Sequence, residues 1–177
     1  LEAEVFSGCT GLERVGSLPW QSVGERAFYG CGNLREVCLE EAAQVGKEAF
    51  SRCTQLKVIF DHSSRQGSAA ECTSASPGYK TQRSSAWFGE NAFEGTFLEK
   101  GPEGMPATAG TIVISGKSCR GVLRLPEGIT GIAPFAFSGN REITGVVIPE
   151  SLQRIGEGAF WGCSGLAEVS FPKKGCW

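Results

Sequence analysis

The sequence predicts a repeat solenoid, a coil of short parallel strands with short helices or turns between them, interrupted by one irregular insertion. Three observations lead there. First, the segment IGEGAFWGCSGLAEVSFP at 155–172 is the cleanest copy of a unit that recurs upstream. Val23, Gly24, Ala27 and Phe28 lead on to Cys31, Leu34 and Val37, and Val45, Gly46, Ala49 and Phe50 to Cys53, Leu56 and Ile59. The shared pattern is I/V-G-x-x-A-F-x-x-C-x-x-L-x-x-V. Second, its phenylalanine falls at 6, 28, 50, 93, 137 and 160, with spacings of 22, 22, 43, 44 and 23, so each long gap is about two repeat lengths. Third, a unit this short cannot bury its own apolar side chains. Its Phe, Leu and Val must stack on the same residues of neighbouring units to form one core.

Residues 1–60 form a first array of three units, the first a weaker copy with Val5, Phe6, Cys9, Leu12 and Val15. In each, the G-x-x-A-F segment is expected to make a short helix or helical turn that plugs Ala and Phe into the core. A bend at Cys and a short strand around L-x-x-V follow. Strand alternation places Val37 and Leu39 inward and Glu36 and Cys38 outward. The period then disappears in 61–86, a polar, small-residue stretch read as an irregular insertion or a degenerate repeat with a long loop. Such a stretch either projects as a contact element or is a solvated loop. Residues 87–110 restart the unit at Trp87 and Phe88 but put Thr96 at the cysteine position and Glu99 at the leucine position. Pro102 and Pro106 then break it.

Residues 111–177 form the second array. It opens on a strand between Gly110 and Gly116, and VLRLP (122–126), VVIP (146–149) and VSFP (169–172) are matching strand ends, each closed by proline. Asn140 stands where cysteine is expected, and Pro134 and Phe135 replace the usual polar pair, which alters the expected turn. Leu1 already occupies a repeat position without a preceding signal peptide, so the chain reads as an excerpt or processed form. The end at Cys176 and Trp177 has no polar cap, which implies that more repeats follow or that this end pairs with another molecule.

Composition excludes several classes. A formal charge of -2 with scattered Lys and Arg offers no basic stripe for nucleic acid, and no apolar run approaches the roughly 18 residues that span a bilayer. Of eight cysteines, Cys9, Cys31, Cys53 and Cys163 share one repeat position, three residues after the phenylalanine. They are either buried structural thiols or bridges between adjacent coils. Cys38, Cys72, Cys119 and Cys176 lie off that position, as reactive or bridged groups whose pairing spacing alone does not give.

The pattern resembles the BspA-like class of leucine-rich repeats over about two thirds of the chain. The resemblance implies a right-handed leucine-rich-repeat coil, curved or nearly straight, of a kind found mostly in secreted or surface proteins of host-associated bacteria and some protists. It also implies adhesion to host proteins and cells. That functional implication is looser than the structural one, because repeats share their core while outward residues set the ligand.

The residues themselves offer little chemistry. His62 is the single histidine and Asp61 the single aspartate, and their spacing supports neither a triad nor a metal site. The paired Glu40 and Glu41 and the acids of the turns read as solvated. No catalytic, metal or cofactor residue is expected, and the chain is read as a non-enzyme. The candidate binding face consists of the outward strand positions Arg14, Glu36, Val58, Phe60, Arg124, Val147 and Glu168, with Cys38 and Ser170 beside them. Val58 and Phe60 adjoin the insertion and either form a contact patch or pack beneath it. Tyr29 and Trp161, each next to a repeat phenylalanine, either bind sugar rings or pack on the next coil. The expected role is a binding module that presents this face to a host-derived protein or glycan. A structural spacer and an accessory domain of an enzyme are the rivals.

Overall fold

The computed structural model describes residues 1–17, 22–39, 44–61 and 87–171. Its strands are short and mostly parallel. On one side of the first array β1 (Arg14–Ser17), β3 (Glu36–Leu39) and β5 (Val58–Asp61) form a parallel sheet in the order β1-β3-β5. At the entrance to each turn β2 (Ser22–Val23), β4 (Gln44–Val45) and β6 (Trp87–Phe88) form a second. The second array repeats the plan. β9 (Gly121–Arg124), β11 (Ile143–Val147) and β13 (Glu168–Ser170) make one sheet, and β8 (Ile112–Ser115), β10 (Gly131–Ile132) and β12 (Arg154–Ile155) the other. An antiparallel strand that the repeat pattern does not announce, β7 (Ala107–Ala109), covers the free edge of β8.

Register follows the pleat. Val15 lies opposite Val37 and Val37 opposite Ile59, as Leu123 lies opposite Val146 and Val146 opposite Val169. Val37 and Leu39 are buried, as alternation requires. The deepest layer is a stack of phenylalanines. Ring centroids lie 5.3 Å apart for Phe6 and Phe28, 5.2 Å for Phe28 and Phe50, 5.7 Å for Phe50 and Phe93, and 4.8 Å for Phe137 and Phe160. Coil spacing sets these distances, since neighbouring strands sit about 4.8 Å apart. Each such ring removes on the order of 2 kcal/mol worth of apolar surface from water.

The G-x-x-A-F segments take the second of the two expected forms, turns and not short helices. The residue before the alanine position sits at positive φ in each of the six units that carry the phenylalanine: Glu4 (58°), Arg26 (54°), Glu48 (53°), Asn91 (52°), Phe135 (57°) and Gly158 (60°). A right-handed helix cannot pass through that conformation. The backbone instead divides its N–H groups between two tasks. Ala27 donates to Gly24 and Tyr29 to Arg26 within the coil, while Arg26, Phe28 and Gly30 donate to Lys47, Ala49 and Ser51 of the next. A helix would spend all of them locally. Phe135 keeps the same geometry despite its bulk, donating to the Glu157 carbonyl, so the Pro134-Phe135 pair does not alter the turn.

The two long gaps have different contents. β4 pairs directly with β6 and Phe50 stacks on Phe93, so no coil lies between them, and residues 62–86 are outside the described set. Between Phe93 and Phe137, by contrast, a coil is present with glycine in the phenylalanine position. The Gly116 N–H donates to Ala136 as the Phe28 N–H does to Ala49, and Cys119 donates to Gly116 as Cys31 does to Phe28. Cys119 therefore occupies the repeat cysteine position, against the expectation that it lies off it. Glycine is required at 116 because the Phe137 ring fills the space of its missing side chain. A Cβ there would sit 1.8 Å from Phe137 Cδ1.

Buried apolar residues from Val23 to Cys163 form one cluster. The core therefore continues through both arrays, although no strand pairing among the described residues joins them.

Candidate binding face

In the interior, the thiols of Cys31, Cys53 and Cys163 and the amide of Asn140 are spent on the backbone. Cys9, Cys31, Cys53, Cys119 and Cys163 are free thiols, which decides against bridges between adjacent coils at those positions. The Sγ–H groups of Cys31, Cys53 and Cys163 donate to the carbonyls of Phe6, Phe28 and Phe137, each at 3.0 Å. Each thiol thus closes the bend of its own coil onto the phenylalanine of the coil before. Burial pushes the Cys53 thiol up to about 12 and Cys119 up to about 11, and it raises Cys31 and Cys163 as well. A protonated, buried thiol is a poor nucleophile and a poor metal ligand.

Asn140 does the same work with more bonds. Its Nδ2 donates to the carbonyls of Gly116 (2.8 Å) and Cys119 (2.9 Å), and its Oδ1 accepts from the N–H groups of Glu142 (2.8 Å) and Ile143 (3.2 Å).

Outward strand positions are left for the surface. In the first array Arg14, Glu36 and Val58 lie in one cross-strand row, and Ser17, Cys38 and Phe60 in another. Arg14 is exposed and Glu36 half-buried, whereas the side chains of Val58 and Phe60 lie outside the described set. In the second array Arg124, Val147 and Ser170 share a row, and Val122, Gly145 and Glu168 share its neighbour. Arg124 and Glu168 are exposed, Val147 is half-buried, and the Ser170 hydroxyl donates to Glu168 Oε1 at 3.1 Å. The seven candidate residues thus divide between two sheets that no strand pairing among the described residues joins.

The sequence reading passed over Val122. It is 62% exposed, and its methyl groups lie over Gly145, where a Cβ would meet them at 3.4 and 3.5 Å. Alternation could have found it, since Val122 precedes the inward Leu123. Tyr29 is half-buried, with the guanidinium groups of Arg26 and Arg52 5.6 and 5.4 Å from the centre of its ring. Trp161 is 71% exposed.

A cleft of about 30 Å³ lies between the arrays, lined in part by Phe88, Phe93, Ile114, Lys117 and Phe135. It is roughly a tenth of the volume at which small-molecule sites begin, about 300 Å³. Among the described residues no group of acids, cysteines or histidines is arranged to hold a metal ion, and no helix is long and apolar enough to cross a membrane. His62 lies outside the described residues.

Comparison with known proteins places the repeat. The family model for the BspA type leucine rich repeat region matches six copies, over residues 1–99 and 117–175. Among solved structures, a leucine-rich repeat protein from Bacteroides ovatus is 20% identical with a TM-score of 0.46, over 96% of this chain and 34% of that one. The pneumococcal vaccine antigen PcpA is 18% identical with a TM-score of 0.39, over 96% and 47%. A leucine rich cell surface protein from Faecalibacterium prausnitzii is 18% identical with a TM-score of 0.37, over 96% and 44%. The chain therefore spans between about a third and about a half of the length of these proteins. Among curated proteins nothing matches it.

Proposed function

Because the chain belongs to the BspA type leucine-rich repeat family, we propose that it is a non-enzymatic binding module of a bacterial secreted or cell-surface protein, and that its sheet face engages a host-derived protein or glycan. The observation that carries this reading is the β9-β11-β13 face. There Val122 stands exposed in the row of Glu168, beside the row of Arg124 and Val147. Apolar side chains set beside charges of both signs have the composition of a protein-binding patch. None of these side chains is needed to fill the core, so the face is free to vary with the ligand. Arg14 and Glu36 extend the same design on the first array. The mechanism is shape and contact area, without turnover.

The test is to probe an array of extracellular-matrix proteins and an array of glycans with the whole folded chain. Saturable binding to a member, weakened about tenfold or more by Val122→Glu with the melting temperature unchanged, is the expected result. Absence of saturable binding on both arrays would replace this reading with that of a spacer.

A further inference from the structure

Every other step of the solenoid is fastened by main-chain hydrogen bonds. From the Phe50 coil to the Phe93 coil, Glu48, Phe50 and Arg52 donate to Glu90, Ala92 and Glu94, and Gly89 donates back to Val45. From the Gly116 coil to the Phe137 coil, Gly116 and Gly121 donate forward to Ala136 and Glu142, and Ala133 donates back to Val113. The step between the Phe93 and Gly116 coils has no such bond among the described residues.

Both sides of that step are finished off separately. The three N–H groups of the Phe93 coil that should reach forward are those of Asn91, Phe93 and Gly95. Glu99 Oε2 takes the Gly95 N–H at 3.0 Å, in place of the next coil's carbonyl. The Asn91 and Phe93 N–H groups meet no acceptor among the described residues, and both residues line the cleft. Across it, β7 covers the edge of β8 that would otherwise face the first array. The connector is a compact elbow. Met105 donates to the Pro102 carbonyl, and a Cβ on Gly101 would sit 2.6 Å from the Ala107 nitrogen.

From this we infer that the molecule is articulated here, two hydrogen-bonded ladders that rotate against each other and are latched by side chains. The latch has three polar parts. Lys117 pairs with Glu99, the Ser118 hydroxyl donates to the Met105 carbonyl at 3.1 Å, and the Arg154 guanidinium lies 3.7 Å from the centre of the Trp87 ring. The last is the broadest contact. It spans from the entrance strand of one ladder to that of the other, over Gly131, whose missing side chain leaves room for Trp87. Beneath the latch the apolar core is continuous but rests on side-chain packing alone, which slides more readily than a ladder bends. The articulation sets the angle between the β1-β3-β5 face and the β9-β11-β13 face. A partner that touches both therefore selects one angle.

The test uses the whole chain in solution and needs no partner. Residual dipolar couplings are measured for backbone N–H groups of both ladders in the native protein, in Arg154→Gln and in Lys117→Gln. Each ladder should fit its own alignment tensor, with the common tensor lost in the native protein or on Arg154→Gln. The Asn91 and Phe93 amides should exchange with solvent on the order of a hundredfold faster than the amides of Arg26 and Phe28. If one tensor fits both ladders in all three proteins, the articulation is overturned. If Arg154→Gln fails to fold, the native protein and Lys117→Gln decide: separate tensors in either support it, and one tensor in both refutes it.

Discussion

At position 116 a single hydrogen atom stands where the repeat elsewhere carries a benzyl group. The Phe137 ring fills that space, so Gly116→Ala forces a methyl group into an aromatic ring that is already stacked on Phe160. The substitution is expected to cost about 3 kcal/mol, read from the denaturant midpoint, with no change in surface properties. A loss within error of zero would show that the ring can retreat. Asn140 gives the opposite lesson about consensus. Restoring cysteine there, as in the other units, would replace four hydrogen bonds by at most one. Asn140→Cys should destabilise the chain by about 2 kcal/mol in the same measurement.

The Cys53 thiol makes a prediction about pH. Burial raises it from an ordinary value of 9.0 to about 12. The unfolded chain therefore releases this proton near pH 9 while the folded chain holds it, so the unfolded state binds fewer protons and stability falls as pH rises. The contribution is whole below pH 9 and is lost progressively toward pH 12. Denaturant titrations at intervals from pH 8 to pH 11 should show the decline, and Cys53→Ala should flatten it. A slope unchanged by Cys53→Ala would locate the effect elsewhere.

Among the elements, the phenylalanine stack and the turn ladder divide the labour. The stack supplies apolar burial and the ladder supplies register. Phe50 has a ring on each side, whereas Phe160 has a described ring on one side only. Phe50→Ala should cost about 3–5 kcal/mol and Phe160→Ala clearly less, a ranking that equilibrium unfolding of the two variants can check. Equal costs would mean that the stack does not act as a column.

The stack was legible in the sequence because identical rings recur at a fixed interval and little else explains that. The turns were not, because the positive-φ position carries Glu, Arg, Asn and Phe, and only Gly158 signals its conformation by residue type. The Gly116 coil was hidden for a related reason: it had lost the one side chain by which coils were counted. Its cysteine was visible, but nothing marked Cys119 as a member of the column until the main-chain bonds did.

For the whole molecule, the repeat determines an interior and leaves the exterior open. Inside, the thiols of Cys31, Cys53, Cys119 and Cys163 are buried, and Asn140 spends all its hydrogen-bonding groups on the backbone. The proposed function therefore rests on the outward rows. Alternation located Arg14, Glu36, Arg124, Val147 and Glu168 on strands, but it could not say that the rows fall on two sheets. That division follows from the break in main-chain pairing after Glu99, which composition does not reveal.

The face itself is most directly tested by a comparison of two surfaces with one partner. Binding isotherms for a partner found on the arrays would be recorded with Val122→Glu/Arg124→Glu on the sheet face and with Arg26→Ala/Arg52→Ala on the turn side. The sheet-face variant should lose at least about tenfold in affinity while the turn-side variant binds as the native chain does. Native affinity in the sheet-face variant, with the loss confined to the turn side, would contradict the account and move the binding surface to the opposite edge of the solenoid.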